Sequence, residues 1–298
     1  MRRFSVLDLP SNLGLRPSGV ERLPNALRDA GLLARLRARD AGRLEPATPY
    51  DSRRDAATRL LNGGALRQTT IALATSVESI VNRDEIPLVL AGDCSVVLGG
   101  LLGLRLGAHR VGLVFVDGHV DFYQPEASPT GEVADMDLAL VTGRGPSVLT
   151  SFDGVDGVLV RDEDVVAIGA RDADERDDAG SQDVRATGIH LYELEAVRAR
   201  GIDAVAADAV AIVARRDLSG FWLHLDADVL DDTVMPAVDY RQPGGLAPVE
   251  LVTLLRACAE SGALRGASVA IYNPALDPSG EGARLLVHCL ANGFGTTR

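Results

Sequence analysis

Residues 111–121 read Val-Gly-Leu-Val-Phe-Val-Asp-Gly-His-Val-Asp. The opening apolar run has no polar face, so it reads as a strand covered on both sides, as strands inside parallel sheets are. Residues 86–91, Ile-Pro-Leu-Val-Leu-Ala, read the same way. Further strands are expected at 4–9, 164–169, 188–192, 221–225 and 267–272. Between them lie stretches of helical period at 19–36, 65–81, 96–104, 194–199, 203–215, 248–261 and 282–292. Strands alternating with helices predict a parallel sheet with helices on its two faces. Residues 36–51 read as a polar, proline-containing connection. Residues 122–147, rich in Pro, Gly, Asp and Glu, are too long for an ordinary connection and read as a binding loop with a short helix at 135–141. No repeat or dividing linker appears. The expectation is one α/β domain over residues 1–298, a three-layer α/β/α sandwich around a mainly parallel sheet of about eight strands.

Composition narrows the function. Thirty basic residues against 42 acidic ones give a net charge of −12, which offers no basic field for a phosphate backbone, so nucleic acid is not an expected partner. No apolar run reaches the ~18 residues of a membrane span, and Met1-Arg2-Arg3 leads into a segment holding Asp8 rather than a signal-peptide core. Cys94, Cys258 and Cys289 are too dispersed for a disulfide framework. These features predict a cytoplasmic protein acting on a small molecule, with no membrane partner.

In open parallel sheets ligands gather at the carboxyl ends of strands. Three expected strand ends carry chemistry: Gly92-Asp93-Cys94-Ser95, Asp117-Gly118-His119-Val120-Asp121, and His224-Leu225-Asp226-Ala227-Asp228. Alternation along an extended chain brings Asp117, His119 and Asp121 to one side, and Asp226 and Asp228 to one side of another strand. Four converging carboxylates repel one another unless cations lie between them, and oxygen with imidazole donors suits divalent ions such as manganese. The alternative for each acidic pair is a helix cap or a solvated turn. His224 reads either as a neighbour of the metal site or as an interior histidine satisfied locally; His109, His190 and His288 read as structural or surface residues.

The three motifs, in order and separation, resemble the metal motifs of the ureohydrolases, the arginase and agmatinase family. Residues 11–19, Ser-Asn-Leu-Gly-Leu-Arg-Pro-Ser-Gly, are similar to its amino-terminal segment, and Tyr272-Asn273-Pro274 to its last motif. The resemblance implies an arginase-like fold, a homo-oligomer, and two divalent ions, Mn2+ above all. It also implies a hydroxide bridging the two ions that attacks a guanidinium or related carbon. Asp117 and Asp226 would bridge both ions, Asp121 would bind the first with Cys94, and His119 and Asp228 would bind the second. Asp121, Glu132 and His224 are the expected catalytic residues.

The chain departs from the family at three places. Cys94 stands where a histidine ligand is usual, as in a branch acting on hydroxylated arginine, and a thiolate favours Zn2+ or Fe2+ over manganese. The loop pattern Ser-Gly-Asn-Leu-His-Gly becomes Thr130-Gly131-Glu132-Val133-Ala134-Asp135, so Ala134 replaces a proton-shuttling histidine. Ile271 replaces the glutamate that pairs with a guanidinium. Arginine is therefore not the expected substrate, and a modified guanidine or amidine is. The loop acids Glu126, Glu132, Asp135 and Asp137 are candidates to receive a cationic substrate, or else form a solvated acidic surface. The alternative function is a metal-binding regulatory protein of the same fold.

Overall fold

The computed structural model describes residues 2–172 and 180–295. Its strands are β1 (Phe4–Leu9), β2 (Arg39–Arg43), β3 (Ile86–Ala91), β4 (Gly112–Val116), β5 (Val165–Ile168), β6 (His190–Tyr192), β7 (Phe221–Asp226) and β8 (Leu264–Ala270). They form one sheet in the order β2-β1-β3-β8-β7-β4-β5-β6. Every neighbouring pair is parallel, so all eight carboxyl ends share one edge.

The helices among the described residues are α1 (Leu23–Asp29), α2 (Leu32–Leu36), α3 (Gly63–Val81), α4 (Val96–Leu106), α5 (Asp137–Val141), α6 (Ser147–Thr150), α7 (Leu194–Arg200), α8 (Ile202–Val213), α9 (Pro248–Glu260) and α10 (Glu281–Phe294). Because side chains alternate across a strand, each central strand feeds two cores. Val6, Leu88, Val114, Leu223 and Val269 pack with α1, α2 and α7 to α10. Leu7, Val89, Leu113, Phe115 and Trp222 pack with α3 to α6. The expected three layers are present, and the sheet is wholly parallel.

Two expectations need correction. Residues 36–51 are not merely a connection, because β2 lies within them. Its sequence, Arg-Asp-Ala-Gly-Arg, has no apolar alternation because it is an exposed edge strand, where charge is favoured. It is held by pairing to β1 and by Arg28, whose guanidinium reaches Asp8 at 2.8 Å and Asp40 at 2.9 Å. The stretch 19–36 breaks into α1 and α2 at Gly31, whose φ of 87° needs glycine's freedom. No described helix is long and apolar enough to cross a membrane.

Candidate metal centre

The central strands β3, β8, β7 and β4 are neighbours, so the segments leaving their carboxyl ends converge. After β3 the chain turns through Asp93, whose carboxylate accepts the Gly14 N–H at 3.2 Å and the Ser95 N–H at 3.1 Å. Asp93 therefore ties the loop down and leaves Cys94 facing the centre. The Cys94 thiol is buried and donates to Asp226 Oδ2 at 2.9 Å across the crevice. By contrast Cys258 and Cys289 lie in the apolar core on α9 and α10.

After β4 the segment is not extended, so strand alternation is not what gathers its side chains. Asp117 Oδ1 accepts the His119 N–H at 2.7 Å, and Asp121 swings inward from a left-handed backbone with φ of 46°. His119 Nδ1 lies 2.9 Å from Asp228 Oδ2 and 3.7 Å from Asp117 Oδ1. The Gly118 N–H donates to Asp228 Oδ1 at 3.0 Å, a close approach in which any Cβ would collide with Arg171 and Asp228. Asp228 follows β7 on a tight turn, its N–H donating to Asp226 Oδ1 at 2.6 Å.

Three donor sets result, each with one ligand atom per residue and all atoms within 4.8 Å: Cys94, Asp117 and His224; Cys94, Asp121 and Asp137; Asp117, His119 and Asp228. Among the described residues several buried ligand-type atoms have no partner, namely Asp117 Oδ2, both oxygens of Asp137 and Nε2 of His224. Each such buried orphan costs roughly 1–3 kcal/mol, more where charged. This is the pattern that a bound cation relieves, so the residues fit divalent ions.

The titrations follow from burial and from one another. Burial, then the Asp228 charge, raises Asp117 to about 7. Burial and neighbouring carboxylates also raise Asp121 and Asp226. Asp137 rises through burial and the charges of Asp117 and Asp93. Burial, with Asp226 and Asp117, raises the Cys94 thiol. His119 is raised despite burial, because Asp228 and Asp117 hold its proton; burial would raise Asp228, but His119 draws it down. Burial lowers His224 to about 3, leaving its imidazole neutral.

A cavity opens over this centre. His119, Asp121, Asp226 and Asp228 line it together with Leu15, Ala134, Ile271, Glu132, Asp135, Asp172 and Tyr240. Glu132 accepts the Tyr240 hydroxyl at 2.9 Å, and Arg16 donates to that hydroxyl at 2.6 Å. Asp135, raised to about 7 by burial, accepts the hydroxyls of Thr130 at 2.8 Å and Ser128 at 3.0 Å. Ile271 has a φ of 69°, a strained conformation for a β-branched residue, and its N–H donates to Gly92 O at 2.8 Å.

Of the loop acids, Glu132 and Asp135 reach the cavity, Glu126 points to solvent, and Asp137 is buried beside Cys94. His224 does not line the cavity, so of the three expected catalytic residues only Asp121 and Glu132 can face a substrate. His109 and His288 are exposed, and His190 is half-buried. Tyr240 escaped sequence reading, because it comes from an irregular segment without a motif and only the fold joins it to the cavity; Leu15 lies in the quoted stretch 11–19 but was not singled out there.

Likeness to known proteins spans nearly the whole chain. Residues 2–294 match the model of the arginase family. An arginase from Bacillus caldovelox is 31% identical over 300 residues, covering 99% of both chains. An arginase from Brevibacillus brevis is 30% identical over 300 residues, covering 99% of this chain and 98% of its own. The solved structure of the Bacillus caldovelox arginase superposes with a TM-score of 0.89 at 31% identity, covering 100% of this chain and 99% of that one.

Proposed function

The chain belongs to the arginase family, and on that premise we propose that it hydrolyses a linear carbon–nitrogen bond in a guanidino, hydroxyguanidino or amidino compound, with two divalent ions held at the strand ends. The observation that carries this reading is the convergence of Cys94, Asp117, His119, Asp121 and Asp228 around Asp226, with atoms of Asp117, Asp137 and His224 buried and unpartnered among the described residues. Cys94, Asp117, Asp121 and Asp226 would hold one ion, and Asp117, His119, Asp226 and Asp228 the other. Bound divalent ions supply the positive charge that acidifies a water and polarises the carbon under attack; Mn2+ suits the oxygen and imidazole donors.

The chain's own residues then set the substrate. Glu132, positioned by Tyr240 and Arg16, presents a carboxylate to the cationic end of a ligand. Ile271 and Ala134 add apolar lining to the same cavity. These two side chains offer no charge-assisted hydrogen bond to a protonated guanidinium, a contact worth about 1.5–3 kcal/mol. A less basic hydroxyguanidine or amidine loses less by its absence. The arginase names of the relatives give no support to excluding arginine, so this preference rests on Ile271 and Ala134 alone.

Urea and ammonia release from arginine, N-hydroxyarginine and a series of amidines, measured on one metal-loaded preparation, tests the reading. The expected result is turnover of a modified compound well above that of arginine. Efficient arginine hydrolysis would overturn the preference and leave the hydrolase standing. No release from any compound with manganese, zinc or iron(II) would overturn the hydrolase.

A further inference from the structure

His224 is the unexplained imidazole of this molecule. On β7, Trp222, His224 and Asp226 share one face, so His224 lies one alternation below Asp226. It pairs in register with Phe115 on β4 and Ser268 on β8. The Phe115 ring stacks on it at 5.0 Å between centroids, and Nδ1 lies 2.8 Å from the Ser268 hydroxyl. That hydroxyl already accepts the Trp222 indole N–H at 3.0 Å. It keeps a second lone pair for an Nδ1–H, which would leave the lone pair on Nε2. Ring position is thus fixed by Phe115 and Ser268, while Nε2 is buried without a partner among the described residues.

His224 shares the Cys94 end of the centre, where His224, Cys94 and Asp117 each bring a donor atom within 4.8 Å of the others; with Nδ1 turned to Ser268, Nε2 is the nitrogen left to bind there. A second, independent feature marks the same place. Asp137, entirely buried, has both oxygens unpartnered and brings one to within 4.8 Å of Cys94 and Asp121. A carboxylate there with no hydrogen bond calls for a cation at the Cys94 end.

We propose that His224 is a ligand of the ion at that end, held with Cys94 and Asp117, so that β7 returns the imidazole which the loop after β3 has replaced by a thiol. The proposal rests on the two-ion reading above and extends its ligand set. It gives the two ends different chemistry. Thiolate with imidazole selects a softer ion, zinc or iron(II), whereas Asp117, His119 and Asp228 at the other end suit manganese. A neutral imidazole also adds a donor without adding negative charge to a centre already crowded with carboxylates.

The test uses full-length protein stripped of metal and titrated with Zn2+ and Mn2+, reading stoichiometry and affinity for the parent, His224→Ser, and the double variant Cys94→His/His224→Ser. The parent should take two ions and prefer zinc for one. His224→Ser should keep one ion and bind the other at least about tenfold more weakly; because losing the Phe115 stack and the Ser268 bond lowers the metal-free Tm as well, affinities are compared where both proteins are folded. The double variant should recover two ions and lose the zinc preference. Parental affinity for both ions in His224→Ser would overturn the assignment alone; a parent that takes up no ion would overturn the two-ion reading and the assignment with it. Should His224→Ser not fold, the long-range 1H–15N spectrum of the zinc-loaded parent decides. His119 and His224 should both show a metal-bound nitrogen, and a signal from His119 alone would contradict the proposal.

Discussion

The two ends of the centre differ in how they are satisfied without an ion. At the His119 end, Asp228 accepts from the Gly118 N–H and the His119 ring, and Asp117 accepts the His119 N–H. At the Cys94 end the thiol shares one donor set with Asp117 and a His224 nitrogen and another with Asp121 and the Asp137 carboxylate, and among the described residues both His224 and Asp137 keep an unpartnered atom. One end is organised by its own hydrogen bonds, whereas the other, apart from the Cys94 bond to Asp226, leaves buried atoms that a cation would satisfy. A family motif can therefore persist at one metal while the second is rebuilt around a different donor set.

Asp226 touches both ends, accepting from the Cys94 thiol and from the Asp228 N–H. Asp226→Asn should therefore produce the largest effect, loss of both ions measured as metal content after dialysis. Each ion present at a hundredfold its Kd contributes about 2.7 kcal/mol of stability, so the metal-loaded Tm should drop by several degrees. Loss of a single ion would show that Asp226 serves one end only.

Substitutions at each end sharpen the contrast. Cys94→Ala should weaken one ion at least about tenfold and leave a protein that prefers manganese, whereas Cys94→His should hold two ions. His119→Ala should release the opposite ion and leave the zinc-preferring one, so competitive titration with the two metals separates the variants. Identical residual preferences in Cys94→Ala and His119→Ala would abolish the distinction between the ends.

The smallest effect is in pH. Asp117 and Asp135, raised from 3.8 to about 7, favour the folded metal-free protein while protonated. That stability is fully present below 3.8 and is lost as pH rises through about 7. Metal-free protein should accordingly melt lower at pH 8 than at pH 5, and bound metal should flatten or reverse the trend because ions draw off the protons. A metal-free Tm that rises across this interval would contradict the burial of uncompensated carboxylates.

What the sequence made legible was chemistry that follows apolar strands. The runs before Gly92, Asp117 and Asp226 are long, buried and regular, so their ends could be found and their acids grouped. β2 was hidden because an edge strand facing solvent has no apolar alternation to detect. Asp121 lines the cavity with His119, but a left-handed turn rather than strand alternation brings it in. Asp137 and His224 were visible only as single residues. Their approach to Cys94 depends on how β7 and the loop before α5 are packed, which no local pattern encodes. Tyr240 reaches Glu132 across 108 residues of sequence and could be found only in the fold.

Metal uptake by the stripped chain tests the central claim most directly. Protein freed of ions by chelation and then titrated with Mn2+ or Zn2+ should bind two equivalents per chain, with a Tm that rises as each site fills. A chain that takes up none, or whose melting is the same with and without chelator, would contradict the account of a two-ion centre at these strand ends.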